Sequence, residues 1–220
     1  MYVLRFVPED LAPLACYYRK IDVFVIRGQE DSIRSLIDHL ENRHASRELI
    51  TNLQVNAAIR FMMNGDTARQ VKWFRLALER IRSQPESISG SREILASIAY
   101  FSGQFDEALP YYRTLVESGD EAWYNLARLG SIYARLGERE RAEEIIRRLE
   151  TLDTPGSPGH YRYAIALVRS MLGDKERAVS DLKTAFRAGF GFTSSRYDNA
   201  YELLPLHGFP PFEAFVAPVE

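Results

Sequence analysis

The chain has 220 residues, of which 46% are hydrophobic and 26% are charged, as in an ordinary folded protein. Its 28 basic and 30 acidic residues give a formal net charge of −2, so no overall field draws the chain towards nucleic acid or an anionic membrane. A single cysteine, Cys16, excludes an intrachain disulfide framework and any metal site built on several cysteines.

The beginning of the chain predicts an arm followed by helical hairpins. Residues 1–8 lack the charged, apolar and small-residue regions of a signal peptide. No apolar run in the chain approaches the ~20 residues that span a bilayer, so we expect a cytoplasmic protein without membrane insertion. We predict that residues 1–8 form a short extended arm. Residues 9–88 predict two helical hairpins, because apolar residues recur at helical spacing around Gly28 and Gly65.

Residues 89–190 contain three copies of one pattern, anchored on Gly103, Gly137 and Gly173, which lie 34 and 36 residues apart. Relative to each glycine, a large apolar residue stands at −8, a small residue at −7, an alanine at +5 and a large residue at +9. These residues are Leu95, Ala96, Ala108 and Tyr112, then Leu129, Gly130, Ala142 and Ile146, then Ile165, Ala166, Ala178 and Leu182. The pattern predicts two amphipathic helices that cross closely at the small residues and are joined by a left-handed glycine turn.

This pattern resembles the tetratricopeptide repeat, a helical hairpin with a period near 34 residues. Residues 123–154 match best, residues 159–190 depart at Arg169, where the family prefers an aromatic residue, and the two hairpins of residues 9–88 are degenerate copies. The resemblance implies an all-α fold, a right-handed α-solenoid of about five such hairpins with a C-terminal cap. We expect residues 191–220 to form that cap, with a short helix near 198–204 and a last turn near 211–216. Its apolar residues should fold onto the last hairpin: Leu203, Leu204, Leu206, Phe209, Phe212, Phe215 and Val216.

No constellation in the sequence indicates catalysis, a metal site or a cofactor, so we predict a protein that is not an enzyme. The four histidines lack the spacing of zinc motifs. The stretch from Gly189 to Phe192 follows a predicted helix and indicates a helix end and a turn, whereas a phosphate loop follows a strand. Acidic residues interrupt the basic residues between Arg135 and Arg148, which indicates a solvated face of mixed charge and no nucleic-acid site.

In a stacked array of such hairpins, the first helices line a concave surface that is a candidate binding groove. The predicted groove residues are Val55, Ile59, Met62, Met63, Glu93, Ser97, Tyr100, Phe101, Ala127, Ser131, Arg135, Tyr163, Leu167 and Met171. Family members that bind chaperone tails hold a carboxylate with a groove lysine, and Glu93, Ala127 and Tyr163 replace it here. The surface suits an amphipathic helix or an extended apolar segment. The alternative is that the same side chains are buried by superhelix closure, by the arm or by the tail.

These observations favour a non-catalytic protein–protein interaction module, or scaffold, that binds an apolar or amphipathic protein segment in the groove. One alternative is a regulatory module of a bacterial signalling or transcription system that senses a ligand or peptide inside the superhelix, because the tail resembles segments that close arrays in bacterial multidomain regulators. Homodimerisation through the same surface is another alternative.

Overall fold

The chain is helical throughout the part that the computed structural model describes, which is residues 14–83, 91–119, 122–154, 158–191 and 200–217. The helices are α1 (Leu14–Ile26), α2 (Glu30–Asn42), α3 (Arg47–Met63), α4 (Thr67–Arg82), α5 (Ser91–Phe101), α6 (Phe105–Glu117), α7 (Trp123–Arg135), α8 (Arg139–Leu152), α9 (His160–Met171), α10 (Lys175–Arg187), a 3₁₀ helix (Tyr201–Leu206) and α11 (Pro210–Val216). Within these ranges, no helix combines the length and apolarity needed to cross a membrane. The predicted arm, residues 1–8, lies outside the described residues.

The helices form two compact units, Met1–Ile98 (unit 1) and Ala99–Glu220 (unit 2), and the division falls inside α5. In unit 1, α3 packs against α1, α2 and α4. In unit 2, α7 packs against α6, α8 and α9, and α9 also contacts α10 and the 3₁₀ helix. Helix α11 packs against α10. Within the described residues, the all-helical fold with neighbouring helices packed in pairs confirms the predicted all-α class and is consistent with a helical repeat.

A glycine in the left-handed conformation joins the two helices of each hairpin. The hairpins are α1–α2, α3–α4, α5–α6, α7–α8 and α9–α10. The five glycines are Gly28, Gly65, Gly103, Gly137 and Gly173, with φ between 66° and 82°. At Gly137, the glycine N–H donates to the Ala134 carbonyl, and the Glu138 N–H donates to the Tyr133 carbonyl at 2.9 Å. This pair of bonds is the Schellman motif, and the other four turns repeat it. The predicted glycine turns are therefore confirmed.

The small residues of the repeat pattern lie where helices approach one another closely. A Cβ added at Gly130 would lie 2.7 Å from Val168 Cγ2 and 3.1 Å from Ile145 Cγ2, so α9 and α8 both meet α7 at this glycine. Ala142 and Ala178, which follow the turns, are completely buried. The predicted close crossing of helices is thus present, and it explains why larger residues are absent from these positions.

The C-terminal residues form two short helices that pack on the last hairpin. The 3₁₀ helix continues through Pro205 to Leu206, two residues beyond the predicted end of this helix near residue 204. A short 3₁₀ helix tolerates the missing proline N–H because few of its bonds depend on that donor. Leu203, Leu206 and Phe212 are completely buried, consistent with their predicted place in the interior.

Candidate functional site

The predicted groove residues of unit 1 lie on α3 and α5, and all of them except Val55 keep accessible surface. Helix α3 begins at a Ser46 N-cap, whose hydroxyl accepts the Leu49 N–H at 3.1 Å. Near its other end, Ile59, Met62 and Met63 are half-buried, whereas Val55 is buried. On α5, the side chain of Ser97 is half-buried and that of Glu93 is exposed.

The charged residue beside these methionines is held in place by an ion pair. The Arg60 guanidinium lies 2.6 Å from Asp22 Oδ1 on α1, and another of its nitrogens lies 3.8 Å from Met63 Sδ. Burial raises the pKa of the Asp22 carboxyl, although the Arg60 charge opposes the rise. The end of α3 therefore presents an apolar, sulfur-containing face next to the Arg60–Asp22 ion pair.

In unit 2, most of the predicted groove residues are buried. The buried residues are Tyr100, Ala127, Ser131, Tyr163, Leu167 and Met171, while Phe101 is half-buried and Arg135 is exposed. These six side chains lie in the interior of unit 2. A binding groove on this face stays a prediction, and so does the alternative that other parts of the chain fill it.

The C-terminal 3₁₀ helix covers part of this face. The Tyr201 ring packs edge-to-face against the rings of Tyr100 and Phe101, with both centroid distances 5.5 Å. The next residue, Glu202, is only 8% exposed although it carries a carboxyl group. Its Oε1 accepts a hydrogen bond of 2.7 Å from the hydroxyl of Tyr100, which has no exposed surface.

The surroundings of this hydrogen bond explain how a carboxylate is tolerated in the interior. The Arg128 guanidinium on α7 donates to the Tyr112 hydroxyl at 3.0 Å and lies over the Phe101 ring. Burial opposes the charge of Arg128, but the neighbouring Tyr112 and Glu202 raise its pKa, so the group stays positive. Burial, followed by the Glu202 charge, raises the pKa of Tyr100 well above its ordinary value. The Tyr100 hydroxyl therefore keeps its proton at neutral pH and donates it in the hydrogen bond to Glu202, with the Arg128 cation nearby.

A second aromatic cluster fills the space around the predicted groove residue Tyr163. Its ring stacks on Phe190 at a centroid distance of 4.7 Å, and Trp123 meets both rings edge-to-face at 5.9 and 5.8 Å. Phe190 follows Gly189, whose φ is 95°, and the Phe190 N–H closes the end of α10 by donating to the Ala185 carbonyl. The turn predicted at Gly189 is therefore confirmed, and it places an aromatic side chain in the interior.

Arg169, the departure from the repeat pattern, belongs to an ion-pair network. Its guanidinium bonds to Asp181 on α10 and, at 3.2 Å, to Glu150 on α8. Arg162 also reaches Asp181, at 3.5 Å, and pairs with Asp153 at 2.8 Å. Burial raises the pKa of the Asp181 carboxyl, against the attraction of both arginines. The arginine therefore connects three helices through charge where an aromatic residue would pack.

Several residues of these buried clusters were missed by reasoning from the sequence. Glu202 and Arg128 were not among the predicted groove residues, and Trp123 and Phe190 were given no role. The available signal for Glu202 is an acid that directly precedes the apolar residues Leu203 and Leu204. Among the described residues, no group of three histidine, cysteine or acidic side chains could hold a metal ion.

Helices packed in neighbouring pairs are consistent with a helical-repeat protein, and one comparison with known families supports this. The family model for the tetratricopeptide repeat matches residues 126–158, the region that the sequence identified as its best copy. The match supports a tetratricopeptide-repeat, helical-repeat protein, and this confirms the resemblance drawn from the spacing of glycines. Such repeats are typically non-catalytic modules that bind other proteins. Comparison with curated proteins finds no match.

Proposed function

We propose that the protein is a non-catalytic interaction module that binds an apolar or amphipathic segment of another protein. The repeat family supports a protein partner. The binding surface that we propose is the face of unit 1 formed by Ile59, Met62 and Met63, since these apolar side chains keep accessible surface. The proposal includes the right-handed solenoid of about five hairpins, whose first helices would line the groove.

The chemistry of this face supports an amphipathic partner. Methionine side chains are flexible and polarizable, so they adapt to partner surfaces of different shape. The Arg60 guanidinium stands next to the apolar side chains and could pair with an acidic group on the polar edge of a bound helix. The accessible methionines are the single observation that carries this placement.

Site-specific photo-crosslinking tests this proposal. A photoreactive amino acid replaces Met62 in the full chain, and a matched variant carries it at Arg75, an exposed position on α4. Expressed in the native cell, the Met62 variant should yield a discrete crosslinked protein product, and the Arg75 variant should not. Equal products from both positions, or none from Met62 in a correctly folded protein, would contradict the proposed surface.

The alternative function, a regulatory module that senses a ligand or a peptide, is favoured by the packing of the tail over unit 2. A ligand that replaced the tail would change the environment of the Tyr100–Glu202 hydrogen bond. A metabolite screen read by thermal unfolding would support this alternative if one compound stabilised the wild type but not the Tyr100→Phe variant. Equal stabilisation of both proteins would count against it.

A further inference from the structure

The 3₁₀ helix places an acidic side chain inside an otherwise apolar contact. Its sequence is Tyr-Glu-Leu-Leu-Pro-Leu, from Tyr201 to Leu206. Leu203 and Leu206 are completely buried, and Glu202 is buried between the aromatic and the aliphatic residues. Apolar residues alone would cover an open repeat end. The buried carboxylate is therefore a feature that capping does not require.

The groups that receive this carboxylate come from the repeat helices themselves. Tyr100 on α5 donates the hydrogen bond, and Arg128 on α7 supplies the positive charge that acts on Glu202. Tyr112 on α6 accepts a hydrogen bond from Arg128 and packs edge-to-face against the Tyr100 ring at 6.1 Å. Three helices thus build a recess with a hydroxyl donor, a cation and aromatic walls, and only its occupant comes from the tail.

We propose that this recess is a binding site for an acidic-apolar protein segment, a glutamate followed by leucines, and that the tail is its internal occupant. This inference rests on the proposed function, since it names a second site for a protein partner. A segment without the acid would leave the Tyr100 hydroxyl with only the neutral Ser131 hydroxyl beside it, so the recess favours a carboxylate. A partner segment of the same chemistry binds by replacing residues 201–206.

A partner segment that replaces the tail competes with residues 201–206 for the recess. The tail is attached to the chain, so its effective concentration at the recess is in the millimolar range for a short connection. A free segment of equal intrinsic affinity therefore binds the wild-type protein weakly. Weakening the attached tail, without changing the recess, should strengthen binding of the free segment.

A labelled synthetic peptide of residues 200–217 is the probe, and fluorescence anisotropy measures its binding to the full-length protein. We expect the Glu202→Gln protein to bind this peptide at least about tenfold more tightly than the wild type does, because its own tail, which competes with the peptide, has lost the charged hydrogen bond. A peptide carrying Glu202→Gln should bind that protein about tenfold more weakly than the native peptide. The Tyr100→Phe protein should distinguish the two peptides by a smaller factor, because only the Arg128 charge then favours the carboxylate. Glu117→Gln, at an exposed glutamate on α6, is the matched control and should behave as the wild type.

Circular dichroism and thermal unfolding establish that each variant is folded before binding is compared. Equal binding of the native and Glu202→Gln peptides, or no gain from Glu202→Gln in a folded protein, would overturn the proposal. If the peptide fails to bind while crosslinking from Met62 still captures a partner, this inference fails and the proposed function stands. If the peptide binds as expected and Met62 gives no crosslink, the recess stands and the proposed surface on unit 1 fails.

Discussion

Replacing Tyr100 with phenylalanine removes one hydroxyl group from the interior of unit 2 and keeps the aromatic packing. The ring contacts with Phe101, Phe105 and Tyr201 persist, because they involve the ring and not the hydroxyl. The lost hydrogen bond joins a completely buried donor to the carboxylate of Glu202 at 2.7 Å. Hydrogen bonds to charged groups contribute about 1.5–3 kcal/mol, so we expect Tyr100→Phe to lower the free energy of unfolding of unit 2 by that amount.

Urea unfolding of the full chain, followed by circular dichroism and tryptophan fluorescence, measures this loss. Trp123 reports on unit 2 and Trp73 on unit 1, so a separate transition of either unit is visible. A double-mutant cycle with Glu202→Gln should give a coupling of about 1 kcal/mol or more, because each single change removes the same charged bond. Tyr124→Phe, at an exposed tyrosine of α7, is the control and should change the free energy by less than about 0.5 kcal/mol. A loss for Tyr100→Phe as small as the control's, or an additive cycle, would refute the role given to this bond.

Three further outcomes follow from the same structure. Gly159→Ala should destabilise unit 2 by about 3 kcal/mol, because φ is 77° and the new Cβ would lie 2.4 Å from a backbone oxygen. The control Gly173→Ala should lose only about 1–2 kcal/mol, because it meets the left-handed strain alone. Equal losses of the two variants in thermal unfolding would contradict this expectation. Because burial and the Glu202 charge raise the pKa of Tyr100 above its ordinary 10.0, its contribution to stability is complete below pH 10 and is lost as the pH rises further. The alkaline fall in unfolding free energy should therefore be shallower in Tyr100→Phe than in Tyr124→Phe. Asp181→Ala should destabilise unit 2 by about 2–3 kcal/mol more than Asp181→Asn does, because asparagine keeps an acceptor for the two guanidinium groups. Equal midpoints of the two variants in denaturant unfolding would contradict this difference.

The local features of the hairpins were predictable because they depend on neighbours in the sequence. A glycine between two amphipathic stretches fixes a left-handed turn, as at Gly137, and a small residue such as Gly130 fixes a close crossing. Both follow from backbone sterics and helical spacing, which a single sequence displays directly.

The burial of the candidate groove residues in unit 2 was not predictable from the sequence, because it depends on contacts between residues far apart in the chain. Tyr100 was predicted to lie on the concave side of its hairpin, but its partner Glu202 lies 102 positions later. The periodicity of α5 carries no information about which segment covers it. The same holds for Arg169. In the sequence it is a departure from the repeat pattern, and only the fold shows that it pairs with Asp181 and Glu150.

Locking the tail in place tests most directly whether the recess of unit 2 exchanges its occupant. In a Cys16→Ser background, cysteines replace Phe101 and Tyr201, whose rings lie 5.5 Å apart, and a short bis-maleimide joins them. Anisotropy with the labelled peptide of residues 200–217 is recorded before and after crosslinking, and the two single-cysteine proteins treated in the same way are the controls. The crosslinked protein should lose peptide binding while the controls keep it. Unchanged binding after crosslinking would contradict a recess that an outside segment enters by replacing the tail.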